Sequence, residues 1–186
     1  MSEQALAPVP PQAPAFVHLH LHSEFSIADS TIGIKPLVGK IRELEMPAVA
    51  VSDISNFFAL VKFYKAAQGA GIKPICGSDL TIADDKTDGP QSQITLLVQN
   101  DIGYQNLTQL ISRAYLEGQV HGLPCIRRSW LKELGGGLIA LCGKKSDIGV
   151  ALAGNRFPLA QHLLKEWMAD FPDRFYLELV RCQRPG

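Results

Sequence analysis

The chain contains no run of eighteen apolar residues, so no segment of it is expected to cross a bilayer as a helix. Its first fifteen residues lack a basic start followed by an apolar block, and no secretory leader is expected. An excess of one charge is missing too: the formal net charge is +0, which removes the broad electrostatic grip of a dedicated nucleic-acid binder. Cysteine is sparse, with Cys76, Cys125, Cys142 and Cys182 far apart and no CxxC spacing. Such thiols read as free groups in a reducing compartment. The expectation is a soluble, cytoplasmic protein without membrane contact.

Phosphate-binding loops are absent as well. There is no Gly-x-Gly-x-x-Gly after a strand and no Gly-x-x-x-x-Gly-Lys-[Ser/Thr], and the triplet Gly135-Gly136-Gly137 lacks the lysine and the following helix. No Gly-x-Ser-x-Gly elbow occurs. The doublets Arg127-Arg128 and Lys144-Lys145 are isolated and read as solvated faces.

What the chain does have is histidine concentrated in one place. In Phe16-Val-His-Leu-His-Leu-His-Ser-Glu-Phe25, His18, His20 and His22 alternate with Val17, Leu19 and Leu21. A two-residue repeat predicts a strand with imidazoles on one face and apolar side chains on the other. Histidines two apart can point at a common ion if other ligands reach the strand end. The bland alternative is a polar sheet face whose imidazoles hold water or carbonyls.

Ahead of this strand, prolines 8, 10, 11 and 14 preclude both helix and sheet ladder, so residues 1–15 read as a flexible arm. Behind it, Ile34, Leu37, Val38, Ile41 and Leu44 recur at helical spacing until Met46-Pro47. Ala48-Val-Ala-Val51 is a short buried strand ending in Ser52 and Asp53, a second helix spans 60–67, and Ile72-Lys-Pro-Ile75 opens a strand ending in Gly77-Ser-Asp79. This is a βα pattern, and the fold class is α/β. Further along, 82–91 reads as a loop or hairpin, 94–98 as a strand, 104–115 as a helix, 117–124 as a loop and 138–141 as a strand. Short helical stretches are read at 130–134, 148–152 and 160–168, with a last strand over 175–180. No covering helix follows that strand, which predicts a chain cut from a longer α/β unit.

Active sites of parallel α/β folds collect at the carboxyl ends of strands, which singles out His20, His22, Asp53 and Asp79. Gln93 stands before its strand and is weaker on that count. Asp29 adds an oxygen ligand or a cap. Glu178 lies opposite Leu177 and Leu179, on the face of Arg174, and either pairs with Arg174 or serves a site. For Asp53 and Asp79 the bland readings are amide capping and turn formation. His121 and His162 read as surface or packing residues.

Four stretches carry a resemblance: FVHLHLHSEFS at 16–26, MPAVAVSDISNFFALVKFYKAAQGAGIKPICGSDL at 46–80, LLVQNDIGYQNLTQLISRAY at 96–115 and FPDRFYLELVR at 171–181. They are similar to the polymerase-and-histidinol-phosphatase (PHP) domain, in the form that opens the alpha subunits of the bacterial DNA polymerase III family. The likeness runs from Phe16 onward and implies a distorted (β/α)7 barrel, with 16–186 a partial PHP domain truncated before the last strands.

By the same resemblance the metal ligands match His20, His22 and Asp53, and His18 matches no ligand. Asp29 matches an acidic residue often found after the histidines, while Asp79 stands where metal-binding members carry glutamate. Glu178 is a further candidate from its place in the last strand. Ile54, Gln93 and Cys182 stand where metal-binding members carry histidine. The implied site is vestigial: no cofactor is required, and at most a weakly held zinc, manganese or magnesium ion is expected. Magnesium would serve the polymerase centre of a full-length member, a DNA-directed DNA polymerase. Its catalytic residues lie outside this chain, so this fragment is expected to be inactive. Implied partners are the separate proofreading exonuclease subunit, other subunits of the polymerase III holoenzyme, and DNA reached through the polymerase domains. The alternatives are a metal-dependent phosphoesterase or 3′–5′ exonuclease of the PHP type, and the matching domain of an error-prone alpha-like polymerase.

Overall fold

The computed structural model describes residues 16–83 and 92–179; the arm expected over 1–15 lies outside them. The first helix, α1 (Ile34–Glu43), buries Ile34, Leu37, Val38 and Ile41, the stripe a 3.6-residue period requires. Strand β1 (Ala48–Ile54) follows, buried along all but its last residue. Helix α2 (Leu60–Gly69) turns back, and Gly71 at φ +74 allows the reversal into β2 (Lys73–Ala83). Next come β3 (Ser92–Val98) and α3 (Asp101–Leu116), the helix capped by the Asn100 side chain accepting from the Gly103 amide. The remainder is β4 (Gln119–Val120), β5 (Leu123–Arg127), α4 (Arg128–Leu134), β6 (Leu138–Cys142), α5 (Asp147–Ala153), α6 (Phe157–Asp170) and β7 (Phe175–Leu177).

The sheet is mixed. Strand β2 pairs in parallel with β1 and, at its far end, with β5, while β3 runs antiparallel between β2 and β6. Strand β7 pairs in parallel with β6, and among the described residues no strand joins β7 to β1. Among the described residues the sheet is therefore open, with the strand and helix arrangement of a (β/α) barrel that does not close. Two apolar layers cover its outer face. Val49 and Val51 pack against α1 and α2, whereas Leu80, Ile94, Leu96, Leu138 and Ala140 pack with side chains of α3 to α6. Inside, Ala50, Leu97 and Leu141 form a small cluster. Beyond it, an opening of about 710 Å³ lies between residues 16–20 and β7, walled by Ile75, Leu97, Ile139 and Tyr176.

Several expectations are corrected. Residues 16–23 do not form a ladder strand, and the chain bends at His20. The Ala50 amide donates to the His18 carbonyl and the Ser52 amide to that of Leu21. Two residues of β1 thus face three of the histidine segment, a bulge-like slip that breaks the two-residue alternation. Strand β2 runs on through Asp79 instead of ending there, because its second half pairs with β3. The loop expected over 117–124 contains the small β4–β5 hairpin, hidden by Gly122 and Pro124. Arg128, expected on a solvated face, stacks on Trp167 at 4.1 Å and pairs with Asp147 and Asp170, each at 3.3 Å. A guanidinium can stack and form ion pairs at once, so a basic doublet in sequence does not identify a solvated one. Arg174 donates to the Gly135 and Leu138 carbonyls and not to Glu178. Cys76, Cys125 and Cys142 are free thiols; Cys182 lies outside the described residues.

Candidate metal centre

One row of register partners forms the floor of the site. Ile54 on β1 is opposite Asp79 on β2, Asp79 is opposite Thr95 on β3, and Thr95 is opposite Leu141 on β6. Register partners project to the same side of a sheet, and all four line a cleft of about 190 Å³. Gln93, Lys144, Lys145 and Glu178 line it as well. Gln93 belongs here because β3 is reversed: the amino-terminal end of an antiparallel strand lies level with the carboxyl ends of its parallel neighbours.

Above this floor stand two imidazoles. His20 Nε2 and His22 Nε2 each lie 2.9 Å from the same oxygen, Asp79 Oδ2. His20 Nδ1 lies 2.8 Å from Glu178 Oε1, and His22 Nδ1 contacts Asp29 Oδ2. The other oxygen of Asp79 accepts from the Thr95 hydroxyl at 2.6 Å. Every ring nitrogen thus faces a carboxylate. A neutral imidazole has only one N–H to donate, so a carboxylate on each ring nitrogen favours the protonated form of both rings.

The titration behaviour follows. Burial pulls His20 down, but the hydrogen bond and charge of Asp79, then Glu178, outweigh it and raise its pKa to about 9. His22 is raised chiefly by its hydrogen bond to Asp79, against the opposing effects of burial and of the His20 charge. Asp79 is opposed by its own burial, yet the two imidazolium donors hold it down at about 2. Glu178→Gln should accordingly lower the pKa of His20, as read from the pH dependence of its ring proton resonances; an unchanged midpoint would remove Glu178 from the site.

The structure brings together His20, His22 and Asp79, whose ligand atoms lie within 4.8 Å of one another. After losing a proton from each Nε2, these three side chains supply two nitrogens and a carboxylate, a set that fits one ion. Glu178 and Asp29 stand behind the histidines, on the opposite ring nitrogens. Such carboxylate–histidine pairs orient ligand rings.

Asp53 is not among them, and this is the main correction to the expected trio. It is only 2% exposed, and its carboxylate accepts from the Ser23 amide and from the hydroxyls of Ser23 and Ser26. The cause is parity. Asp53 shares its side of β1 with Val49 and Val51, which pack under α1 and α2, while the neighbouring Ile54 faces the cleft. His18 also stands apart, edge-on to Phe16 at 4.8 Å. His121 is exposed, and His162 lies 3.5 Å from Glu166 at the surface.

Sequence reading missed Thr95, Gly143 and the lysine pair. The signal for Thr95 was a polar residue inside the apolar run 94–98, in phase with Gln93. Gly143 leaves room for the Glu178 carboxylate, since a Cβ there would lie 2.5 Å from Oε2.

Comparison with known proteins places this geometry. A family model described as PHP domain matches residues 18–182. The DNA polymerase III subunit alpha of Pseudomonas fluorescens is 53% identical over 173 residues, which are 92% of this chain and 15% of that protein. The subunit of the same name from Escherichia coli strain K12 is 44% identical over 173 residues, with the same coverage. The chain therefore spans about 15% of the length of these curated relatives. Among solved structures, an amidohydrolase from Chromobacterium violaceum is similar with a TM-score of 0.52 at 12% identity, over 87% of this chain and 75% of that one. That likeness concerns the fold alone.

Proposed function

The chain belongs to the PHP domain family, and from this we propose that it is the amino-terminal PHP domain of a replicative DNA polymerase alpha subunit, acting as scaffold and docking surface for a proofreading exonuclease subunit. The identity of 53% over 92% of the chain supports the parent. The single observation that carries the non-catalytic role is the cleft, where three ligand atoms converge and Ile54 occupies the floor beside Asp79. A hydrolytic two-metal centre holds two ions roughly 4 Å apart. His20, His22 and Asp79 are too few to hold two, and an isoleucine supplies no lone pair.

In the full-length protein, polymerisation belongs to regions outside this chain. Magnesium there, contacts with DNA and contacts with other holoenzyme subunits belong to the same proposal. When one zinc, manganese or magnesium ion is bound here, it supplies Lewis acidity within the cleft. The chain's own residues orient the two rings and hold their protons.

A second reading keeps a working phosphoesterase or 3′–5′ exonuclease centre. The convergence of His20, His22 and Asp79 favours it, and Lys144 and Lys145 at the rim would suit a phosphate. The place of the domain in an error-prone alpha-like polymerase is a variant of the first reading.

Two measurements test the proposal. Titrated with the nuclease subunit, the full-length protein should bind with a dissociation constant of about 1 μM or tighter, as expected of a specific interface. The same preparation, with its polymerase centre inactivated, should hydrolyse neither DNA ends nor simple phosphate esters in manganese or zinc. Metal-dependent hydrolysis abolished by His20→Ala would replace the scaffold reading with the catalytic one, and no association with the nuclease would end the docking part.

A further inference from the structure

The two histidines of the cleft sit on a segment that the sheet barely holds. Between residues 16 and 23 only the His18 and Leu21 carbonyls receive amides of β1, with the slip described above. Side chains of β1 replace the missing ladder. The Ser52 hydroxyl accepts from the Leu21 amide at 3.2 Å. Asp53 does more: Oδ1 accepts from the Ser23 amide at 2.7 Å and from the Ser26 hydroxyl at 2.6 Å, and Oδ2 accepts from the Ser23 hydroxyl at 2.6 Å. The Ser26 hydroxyl in turn accepts from the Ile54 amide at 3.2 Å, closing the loop onto the residue that faces the cleft.

We infer that Asp53 is a positioning residue: through Ser23 and Ser26 it fixes the backbone immediately after His22 and thereby holds both imidazoles over Asp79. Three physical points support this. The carboxylate is buried, so its charge has to be met by hydrogen bonds from protein donors, and all three donors named above come from the histidine segment. Hydrogen bonds to an ionised acceptor are stronger than neutral ones and more costly to leave unmade. The same side chain is barred from the cleft by strand parity, so its influence on the histidines passes through the backbone. Residues 23–26 form a single 3-10 turn whose Ser23 hydroxyl caps the Phe25 amide. Freeing Ser23 therefore releases the turn and the histidine beside it together.

The inference deepens the reading of the cleft as a reduced metal centre and rests on it, but needs neither metal nor nuclease to be tested. Diethyl pyrocarbonate attacks an unprotonated, accessible ring nitrogen, and tandem mass spectrometry assigns the modified histidine in the full-length protein. In Asp53→Leu the carbethoxylation rates of His20 and His22 should rise about tenfold through local opening, with those of His121 and His162 unchanged. Asp53→Asn keeps one oxygen for the Ser23 amide and the Ser26 hydroxyl and should restore most of the protection. A general loss of stability would raise the His20 and His22 rates just as much in a core variant of matched melting temperature, such as Leu107→Ala, and equal rises in the two variants overturn the inference. Unchanged rates at His20 and His22 in folded Asp53→Leu overturn it too. Should Asp53→Leu fail to fold, Ser26→Ala decides by the same criterion: a selective rise at His20 and His22 supports the clasp, and no rise overturns it. Zinc titration of the unaltered protein reads the metal centre separately, so failure of that reading is distinguishable from failure of the clasp.

Discussion

Asp79→Ala is expected to lower the melting temperature of the domain by roughly 10 °C near pH 6, since breaking a buried charge cluster costs about 3–5 kcal/mol and each kcal/mol is worth about 2–4 °C at this size. The substitution strands His20 and His22 beside each other with their shared oxygen gone, while the Thr95 hydroxyl loses its acceptor. The pH dependence identifies the cause. His20 has a folded pKa of about 9 against 6.5 unfolded, so its contribution is complete below 6.5 and is lost as pH rises through 9. For Asp79 the folded pKa of about 2 lies below 3.8, so its contribution is present above 3.8 and lost as pH falls through 2. The cluster is therefore fully stabilising between 3.8 and 6.5, and the melting temperature of the parent should fall between 6.5 and 9. In Asp79→Ala that alkaline fall should be much smaller, because the main partner raising His20 has gone. Thermal scans across this range check both statements: parallel pH profiles for the two proteins would show that the cluster is not the source of the pH dependence, and coincident profiles that it contributes nothing to folding.

Ile54→His should convert a weak three-ligand cleft into a four-ligand one. Ile54 and Asp79 are register partners on parallel strands, about 4.8 Å apart in the hydrogen-bonding direction, so an imidazole at 54 rises beside the carboxylate. Tetrahedral zinc takes four ligands. Zinc affinity at neutral pH should increase by at least tenfold, about 1.4 kcal/mol, as measured by competition with a chromogenic chelator. Gln93→His adds to the same rim two residues from Thr95, on the same face of β3. The third departure from the metal-binding pattern, Cys182, lies outside the described residues. If Ile54→His folds and its zinc affinity is no higher than that of the parent, the cleft is not a reduced metal centre.

Much of this was open to local reading. The stripes of α1 and α2 and the buried run of β1 are set by periodicity and by the breaks at Met46-Pro47 and Gly71, which act over a few residues. The closeness of His20 and His22 was likewise legible because residues two apart are held near one another by the chain itself, although the two-residue alternation that also predicted His18 beside them is broken by the slip. Even the exclusion of Asp53 from the cleft was latent there: it is in phase with Val49 and Val51, and a ligand shared with His20 would have to be in phase with Ala50.

Other facts arise only when distant segments meet. Asp79 joins the histidines because β2 extends through it to pair with β3, and that extension is decided by residues 92–98. Gln93 reaches the same cleft because β3 is reversed, which no property of its own sequence reveals. Glu178 faces His20 across 158 residues of chain, and the pKa values of both rings are raised because carboxylates from β2, from the residue after β7 and from the turn at Asp29 converge on them. Local sequence determined which residues could carry charge or ligate. Strand direction and register decided which of them meet, because side-chain partnership across a sheet depends on the neighbouring strand and not on the residues adjacent in the chain.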